Sequence, residues 1–524
     1  MTPEADARYD AIVVGSGFGG SMAASELVDA GWRVLMLERG SWVPRGPRNW
    51  SSEAVGPLTP FYSTETPYRA VAGGERDVVG SFQCVGGPSV FYGGAALRFR
   101  ERDFEPAAEI VGDSAASWPF RYAEIEAHYT RAERLLGVAG ELGGDPTEPW
   151  HSAPYPQLPG ALSPTARLVR DACLRLGLTP SRLPLAFNHS VRDGRRACAA
   201  CSTCDGFACA IGAKNDLATA VLPGLVQRGL HLRPDTVAVR FVTQGRGVVA
   251  IDCVDRKTGR PLRFHARLFL LAAGALASPH LLLASGLDGL HAGGRVIGRH
   301  LTRHVNAVVI GLFPRRPDRE AQFHKQVAVH DFYFGHPWVQ APPGKLGAIQ
   351  QLSTPPAALV KAHLPRMFGG AAASTLPHAT GLLVMAEDQP RFENGVEVDW
   401  SRRDRFGLPQ LRITHRYTPR DEAALRALVV QARRILKEAG AWLTYVQPIR
   451  TFSHALGTVR MGLDPSTSAL DADGRLRGTD NLYVVDGSAF PTSGAVNPSL
   501  TIAANALRAG SRIAAGGRRG RAAA

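Results

Sequence analysis

Several things are missing from this 524-residue chain, and each absence removes a class of function. No basic stripe interleaved with aromatics and no helix-turn-helix or finger spacing is present, although 60 Lys and Arg outnumber 46 Asp and Glu. The net charge of +14 is carried mostly by dispersed Arg, which reads as a solvated basic surface and argues against a nucleic-acid partner. No long apolar run is uninterrupted. The longest, Leu268 to Leu287, contains Gly274, Pro279 and His280, so it reads as a buried strand running into a helix. The segment Met1 to Tyr9 holds Glu4 and Asp6 and no apolar stretch. It is unlike a secretory or mitochondrial leader, and the expectation is a cytoplasmic protein without a membrane anchor. Cysteines number only seven. Gly and Pro are scattered rather than in runs, which excludes fibrous and broadly disordered chains, and the length implies two or more lobes around a large core.

What is present begins at Tyr9. The strand-like run Tyr9 to Val14 passes into Gly15-Ser16-Gly17-Phe18-Gly19-Gly20 and then a helical stretch, Ser21 to Ala30. A dinucleotide site requires this order: Gly15 permits the tight turn, Gly17 lets backbone approach a pyrophosphate, Gly20 allows close helix–strand packing, and the helix N-terminus offers free N–H groups. A second strand, Arg33 to Leu37, ends in Glu38, about 20 residues on, where an acid hydrogen-bonds a ribose diol. That acid repels a 2′-phosphate, leaving NAD or the adenosine half of FAD. A second glycine-rich stretch, Val85 to Gly94 with Gly86-Gly87, suggests a long ligand lying along two loops.

Near the C-terminus, Ser453-His454-Ala455-Leu456-Gly457-Thr458, then Asn481 to Gly487, then Val496-Asn497-Pro498-Ser499 read as turn, strand, loop and helix start. An imidazole such as His454, with an ordinary pKa of about 6.5, suits a proton acceptor; a satisfied structural histidine is the plainer alternative. Asn497 reads as an N-cap with Pro498 at the first helical position, in a helix whose N-terminal dipole favours an anionic partner such as a reduced flavin. Cys198, Cys201, Cys204 and Cys209 form a C-x2-C-x2-C-x4-C run before Lys214. The spacing departs from the ferredoxin run and offers no second pair for a zinc ribbon. A metal-free loop with thiols or disulfides is preferred over an iron–sulfur cluster or zinc. Cys84, Cys173 and Cys253 read as small buried apolar residues.

These blocks, with Leu271 to Leu282 between them, resemble in order and spacing the glucose-methanol-choline (GMC) FAD-dependent oxidoreductase family. The match runs from about Tyr9 to Ile513, with little motif content from Val305 to Pro448. The resemblance implies an α/β fold, with a Rossmann-like FAD-binding domain and a discontinuous α+β substrate-binding domain. It implies an alcohol dehydrogenase or oxidase that moves hydride from a CH–OH carbon to flavin N5. His454 matches the family's catalytic histidine, and Asn497 its second catalytic position. Gly15, Gly17, Phe18, Gly19, Gly20, Glu38 and Arg39 fall at the ADP part, and Val237 at the adenine. Gly86, Gly87, Asp486, Gly487, Asn497 and Pro498 fall along the pyrophosphate and isoalloxazine. Some relatives attach flavin through a His near the Gly86 loop; none occurs from Ser81 to Phe104, so noncovalent FAD is expected. Some relatives carry an iron–sulfur center and others metal-free Cys-rich segments, so the cluster stays open.

The cofactor lobe is expected from residues 1–105, 200–304 and 450–515, the substrate lobe and inserts from 106–199 and 305–449, and a basic flexible tail at 516–524. Strand-like runs Gly381 to Ala386 and Leu411 to His415 and a helix near Arg420 to Ala439 predict a sheet walling the pocket. His324, His330, Gln340, Gln350 and Gln351 are its polar candidates. The expected substrate is a hydroxyl of a sugar, amino sugar or polyol, with oxygen or an unknown carrier as electron acceptor. The alternatives are an apolar alcohol such as a sterol, a flavin-containing lyase on the same fold, and a nonenzymatic FAD scaffold, which His454 and Asn497 together disfavour.

Overall fold

The structure, a computed structural model, describes residues 9–51, 53–56, 59–72, 75–319, 322, 324–339, 344–354, 356 and 375–522. Gln340 lies outside them. The opening strand Tyr9–Val14 sits between two parallel neighbours, Val34–Leu37 and the end of Pro261–Leu271. Its sequence is nearly all apolar because both faces are covered. His231–Arg233 extends this sheet at one side, and Leu482–Val484 runs parallel to Pro261–Leu271. The strand Pro261–Leu271 serves two partners. Its first half closes an antiparallel meander with Thr236–Gln244 and Gly247–Asp255, and its second half enters the parallel core. The apolar stretch from Leu268 is thus a buried strand followed by the helix Ala277–Ala284.

The last helix, Ser499–Ala522, packs on the helices Phe18–Asp29 and Tyr122–Leu136. Ala503, Ala504, Ala506 and Ala509 are buried on it, and a Cβ at Gly510 would come within 3.0 Å of the Ala23 carbonyl oxygen. Small side chains let these helices approach closely. The tail expected to be flexible continues this helix as far as Ala522.

A six-stranded sheet forms the second layer, in the order Leu443–Pro448, Val305–Leu312, Ala379–Ala386, Gly347–Leu352, Val327–Val329 and Pro180–Arg182. One face, with Val305, Ala307, Val309, Ile349, Leu382 and Val384, packs on the helix Pro419–Glu438. That helix begins with a capping box, Thr418 with Asp421, and Pro419 in its first turn. The strand read at Leu411 to His415 is Pro409–Thr414, and it belongs elsewhere: a four-stranded sheet with Gly395–Arg403, Tyr62–Ala72 and Glu75–Phe82. Segments expected in different lobes therefore share a sheet, because alternation identifies a strand but not its partner. Among the described residues, no helix is long and apolar enough to cross a membrane.

Tyr122, Glu126, Thr130 and Glu133 line one face of their helix, and all four receive the buried guanidinium of Arg98, Glu133 in a fork with both bonds at 2.7 Å. Replacing Arg98 with Met leaves two carboxylates without their cation. We expect a loss of about 3–5 kcal/mol at pH 7 in denaturant unfolding. The gap to wild type should narrow at pH 4, where the stranded carboxyls take up protons.

Candidate active site

The chain leaves the opening strand at Gly15, whose φ of 101° lies in the left-handed region, and enters the helix at Phe18. The motif glycines are needed for different reasons. A Cβ on Gly15 would run into the backbone of Ala272 and one on Gly20 into the carbonyl of Gly15, whereas one on Gly17 would meet nothing within 4 Å. Gly15 and Gly20 close the turn; Gly17 leaves open floor in front of a helix N-terminus that no side chain caps. Gly19 lies against the Val485 carbonyl, and Phe18 leans on Tyr92. The second glycine loop meets the first here: the Gly86 N–H donates to Ser16 Oγ at 2.9 Å, and a Cβ on Gly87 would sit 3.4 Å from the Gly17 Cα.

Glu38 is buried at the end of the second strand. Its Oε2 accepts from the N–H (3.1 Å) and Oγ (2.6 Å) of Ser16, and its Oε1 from the Gly40 N–H (2.8 Å). Burial raises its carboxyl above the usual range, against the pull of these hydrogen bonds and of Arg39. Arg39 pairs with Asp404 at 3.8 Å and lies over the Phe406 ring. Val237 is buried against Phe406 and Leu408, next to Thr236, whose N–H donates to the Glu38 carbonyl. Asp486 ties the far side together: Oδ2 accepts from Gly274 N–H (2.8 Å) and Ser278 Oγ (2.5 Å), and Oδ1 from Ser488 N–H and Oγ. The Gly457 N–H donates to the Gly487 carbonyl, which anchors the turn carrying His454.

His454 has a partner that sequence reasoning missed, His304, with the two Nδ1 atoms 3.1 Å apart and the rings edge to face. The other nitrogen of His304, Nε2, lies 3.0 Å from the Ser493 carbonyl oxygen, which only accepts. Nε2 therefore carries the proton, the bare Nδ1 of His304 accepts from His454 Nδ1–H, and His454 Nε2 is left with a free lone pair. The surroundings of both rings favour the neutral form. Burial lowers His454 well below the usual imidazole value, helped by His304 and by Lys325, which pairs with Asp205 at 2.5 Å. Burial lowers His304 too, against the pull of Asp388. His304 holds φ at 62°, a left-handed backbone unusual for a side chain of this size.

The loop before the last helix is held residue by residue. Ser493 Oγ donates to Asp388 (3.1 Å), the Gly494 N–H to Glu387 (2.7 Å) and the Ala495 N–H to the Tyr333 hydroxyl (2.9 Å). Behind them Lys345 pairs with both Asp103 and Glu387, and Tyr333 donates to Asp103. Burial pulls Lys345 down, but the two carboxylates hold it above its ordinary value. Pro498 is buried. The sequence puts Asn497 at the N-cap and Pro498 in the first turn, but the helix begins at Ser499, and Asn497 instead accepts at Oδ1 from Gln350 Nε2 at 2.6 Å.

Of the other polar candidates on the wall, Gln351 turns to Thr165 and Ser353, His330 pairs with Asp145 at 2.8 Å, and His324 lies 3.6 Å from the Cys198 sulfur and stacks on Phe187. The loop holding Cys198, Cys201, Cys204 and Cys209 is fastened by buried Lys214, whose ammonium donates to the carbonyls of Tyr92 (2.8 Å), Cys204 (3.2 Å) and Phe207 (2.7 Å). Among the described residues no group of three or more His, Cys, Asp or Glu is arranged to hold a metal ion.

The GMC oxidoreductase family model matches residues 9–306, and its C-terminal counterpart matches residues 390–506. The chain belongs to the GMC oxidoreductase family. This GMC oxidoreductase is an FAD-dependent enzyme acting on alcohol CH–OH groups. It is 32% identical over 538 residues to a 6'''-hydroxyparomomycin C oxidase of Streptomyces lividus, covering 97% of this chain and 92% of the relative. It is 30% identical over 533 residues to a paromamine 6'-oxidase of Streptomyces fradiae, covering 98% and 92%. The solved pyridoxine 4-oxidase from Mesorbium loti shares the fold, with a TM-score of 0.70 at 22% identity over 96% of this chain and 99% of that one. The open floor at Gly17, the uncapped helix and buried Glu38 suit the ADP part of FAD in this oxidoreductase.

Gly17→Ala and Gly20→Ala should therefore part company. The Gly20 variant should lower the melting temperature of the apoprotein, because its methyl meets backbone. The Gly17 variant should melt like wild type yet retain at least about ten-fold less FAD, read from the flavin absorbance per protein after purification.

Proposed function

We propose that this oxidoreductase oxidises a hydroxyl of a sugar, amino sugar or polyol, with His454 as the base. The observation that carries the mechanism is the His304–His454 contact, since it leaves His454 Nε2 as a neutral acceptor. FAD, when bound, takes the hydride from the substrate carbon. Nε2 of His454 takes the hydroxyl proton, which makes the carbon a far better hydride donor. Asn497 presents its amide N–H to the same oxygen and steadies the charge that builds there. The surroundings of His454, with His304 and Lys325 close by, lower its imidazole below the ordinary value. The acid limb of kcat/KM should accordingly fall below the ordinary imidazole pKa of about 6.5.

For the cofactor, Gly15, Gly17, Phe18, Gly19, Gly20, Glu38 and Arg39 hold the ADP part, with Glu38 accepting from the ribose hydroxyls. Val237 meets the adenine, and Gly86, Gly87, Asp486, Gly487, Asn497 and Pro498 flank the rest. The flavin is noncovalent and leaves on denaturation, since no His occupies 81–104. We read the four-cysteine loop as metal-free, on the support that Lys214 gives its carbonyls; an iron–sulfur center would show as a broad red shoulder in the visible spectrum. The substrate class rests on the relatives named as oxidases of paromamine and 6'''-hydroxyparomomycin C.

The test is anaerobic flavin bleaching with paromamine, D-glucose, glycerol, n-octanol and cholesterol. Bleaching by the polyhydroxylated group supports the reading. Bleaching by octanol or cholesterol alone replaces it with an apolar alcohol, and a flavin that stays yellow throughout favours the lyase. His454→Ala should retain FAD and slow bleaching by about 10²–10⁴-fold. His304→Phe, which removes the acceptor for Nδ1–H together with the donor to the Ser493 carbonyl, should slow it less and raise the acid limb of kcat/KM; unchanged limbs would remove His304 from this role.

A further inference from the structure

We propose that Gln350 is a positioning residue that fixes which end of the Asn497 amide faces the substrate. The inference rests on the reading of Asn497 given above and extends it to a residue on a different layer of the molecule. Gln350 belongs to the strand Gly347–Leu352, where its neighbour Ile349 joins the helix-backed core. Successive residues of a strand point to opposite faces, so Gln350 projects from the other face, and there its Nε2 donates to Asn497 Oδ1 at 2.6 Å.

An isolated asparagine amide has two ends, a donor and an acceptor, and a half-turn about its last bond exchanges them. Only one end helps the reaction: an N–H toward the alcohol oxygen supports the developing alkoxide, whereas a carbonyl there repels it. The N–H of Gln350 accepts no substitute on this point, because it bonds the carbonyl end of Asn497 and so turns the Nδ2–H end outward.

The remaining atom of Gln350 argues against a purely structural role. Gln350 is wholly buried, and its Oε1 has no hydrogen-bond partner. An orphaned buried carbonyl is a cost to the fold, and an apolar side chain of similar size would remove it, though it would leave Asn497 Oδ1 without its donor. Strand pairing does not need the side chain either, since it runs through the backbone opposite Leu383 and Ala328. A residue with one polar end unmet and the other holding one amide in one orientation fits a functional role.

The experiment is a double-mutant cycle with Gln350→Leu and Asn497→Ala, using the alcohol among paromamine, D-glucose, glycerol, n-octanol and cholesterol that bleaches the flavin fastest. The readouts are the limiting rate of anaerobic flavin reduction and the melting temperature. Gln350→Leu should melt near wild type, since it removes one orphaned carbonyl and strands another, keep its FAD and reduce about 10- to 100-fold more slowly at saturating substrate. In the Asn497→Ala background the same change should have no further effect, because Gln350 acts only through that amide. An equal slowing in both backgrounds, an unchanged rate in Gln350→Leu, or a clear fall in its melting temperature overturns the proposal. The reading of Asn497 fails separately, by wild-type rates in Asn497→Ala alone or by no bleaching with any of the five alcohols, and Gln350 falls with it.

Discussion

Asp388 lies wholly inside the protein, and its two carboxylate oxygens receive the backbone N–H groups of Arg303 and His304, the hydroxyl of Ser493 and the ring of His415 at 3.4 Å. Burial alone would raise its carboxyl, but His415, His304 and these donors hold it below the usual range. The group is thus a fixed negative charge with its lone pairs directed at three segments far apart in the chain. One carries His304, one leads to Asn497 and the third holds His415. The first two are loops where they meet it, so this anchor ties the partner of His454 to the approach of Asn497 where no strand pairing does.

Around that anchor the site is built from polar groups that are costly to bury. Lys345, Asp103, Glu387 and Tyr333 form one network, and its outward face accepts from the backbone N–H groups of Gly494 and Ala495. Replacing such a network with apolar residues often stabilises a protein. Here the network gives what an apolar core does not, a directional hold on a backbone that lacks secondary structure of its own. The same logic appears in the cysteine loop, where one ammonium gathers three carbonyls that have no strand or helix partner.

How much of this was legible in the sequence depends on distance along the chain. The corner at Gly15, Gly17, Gly20 and Glu38 is local, and each residue's role follows from its neighbours within about one strand–turn–helix unit. His454 and Asn497 were identifiable through family resemblance, but their partners were not. His304, Asp388, Glu387 and Tyr333 come from stretches without a motif, and they meet the pair only through the register of antiparallel strands such as Val305–Leu312 against Ala379–Ala386. Gln350 and Gln351 make the point most sharply. The sequence shows two adjacent glutamines on a strand and nothing of which one faces the site; a slip of one residue would exchange them. The N-cap expected of Asn497 failed because the helix opens one residue later than the motif suggests, at Ser499, with its first bond running from the Ile502 N–H to the Pro498 carbonyl.

The left-handed backbone of His304 sets backbone strain against side-chain fit at one position. That conformation costs a side chain of this size about 1–2 kcal/mol, and glycine would adopt it freely. Glycine there would nonetheless empty a buried site and strip the Ser493 carbonyl of its donor, losses at least as large as the strain relieved. The strain is thus held in place by the ring that bears it.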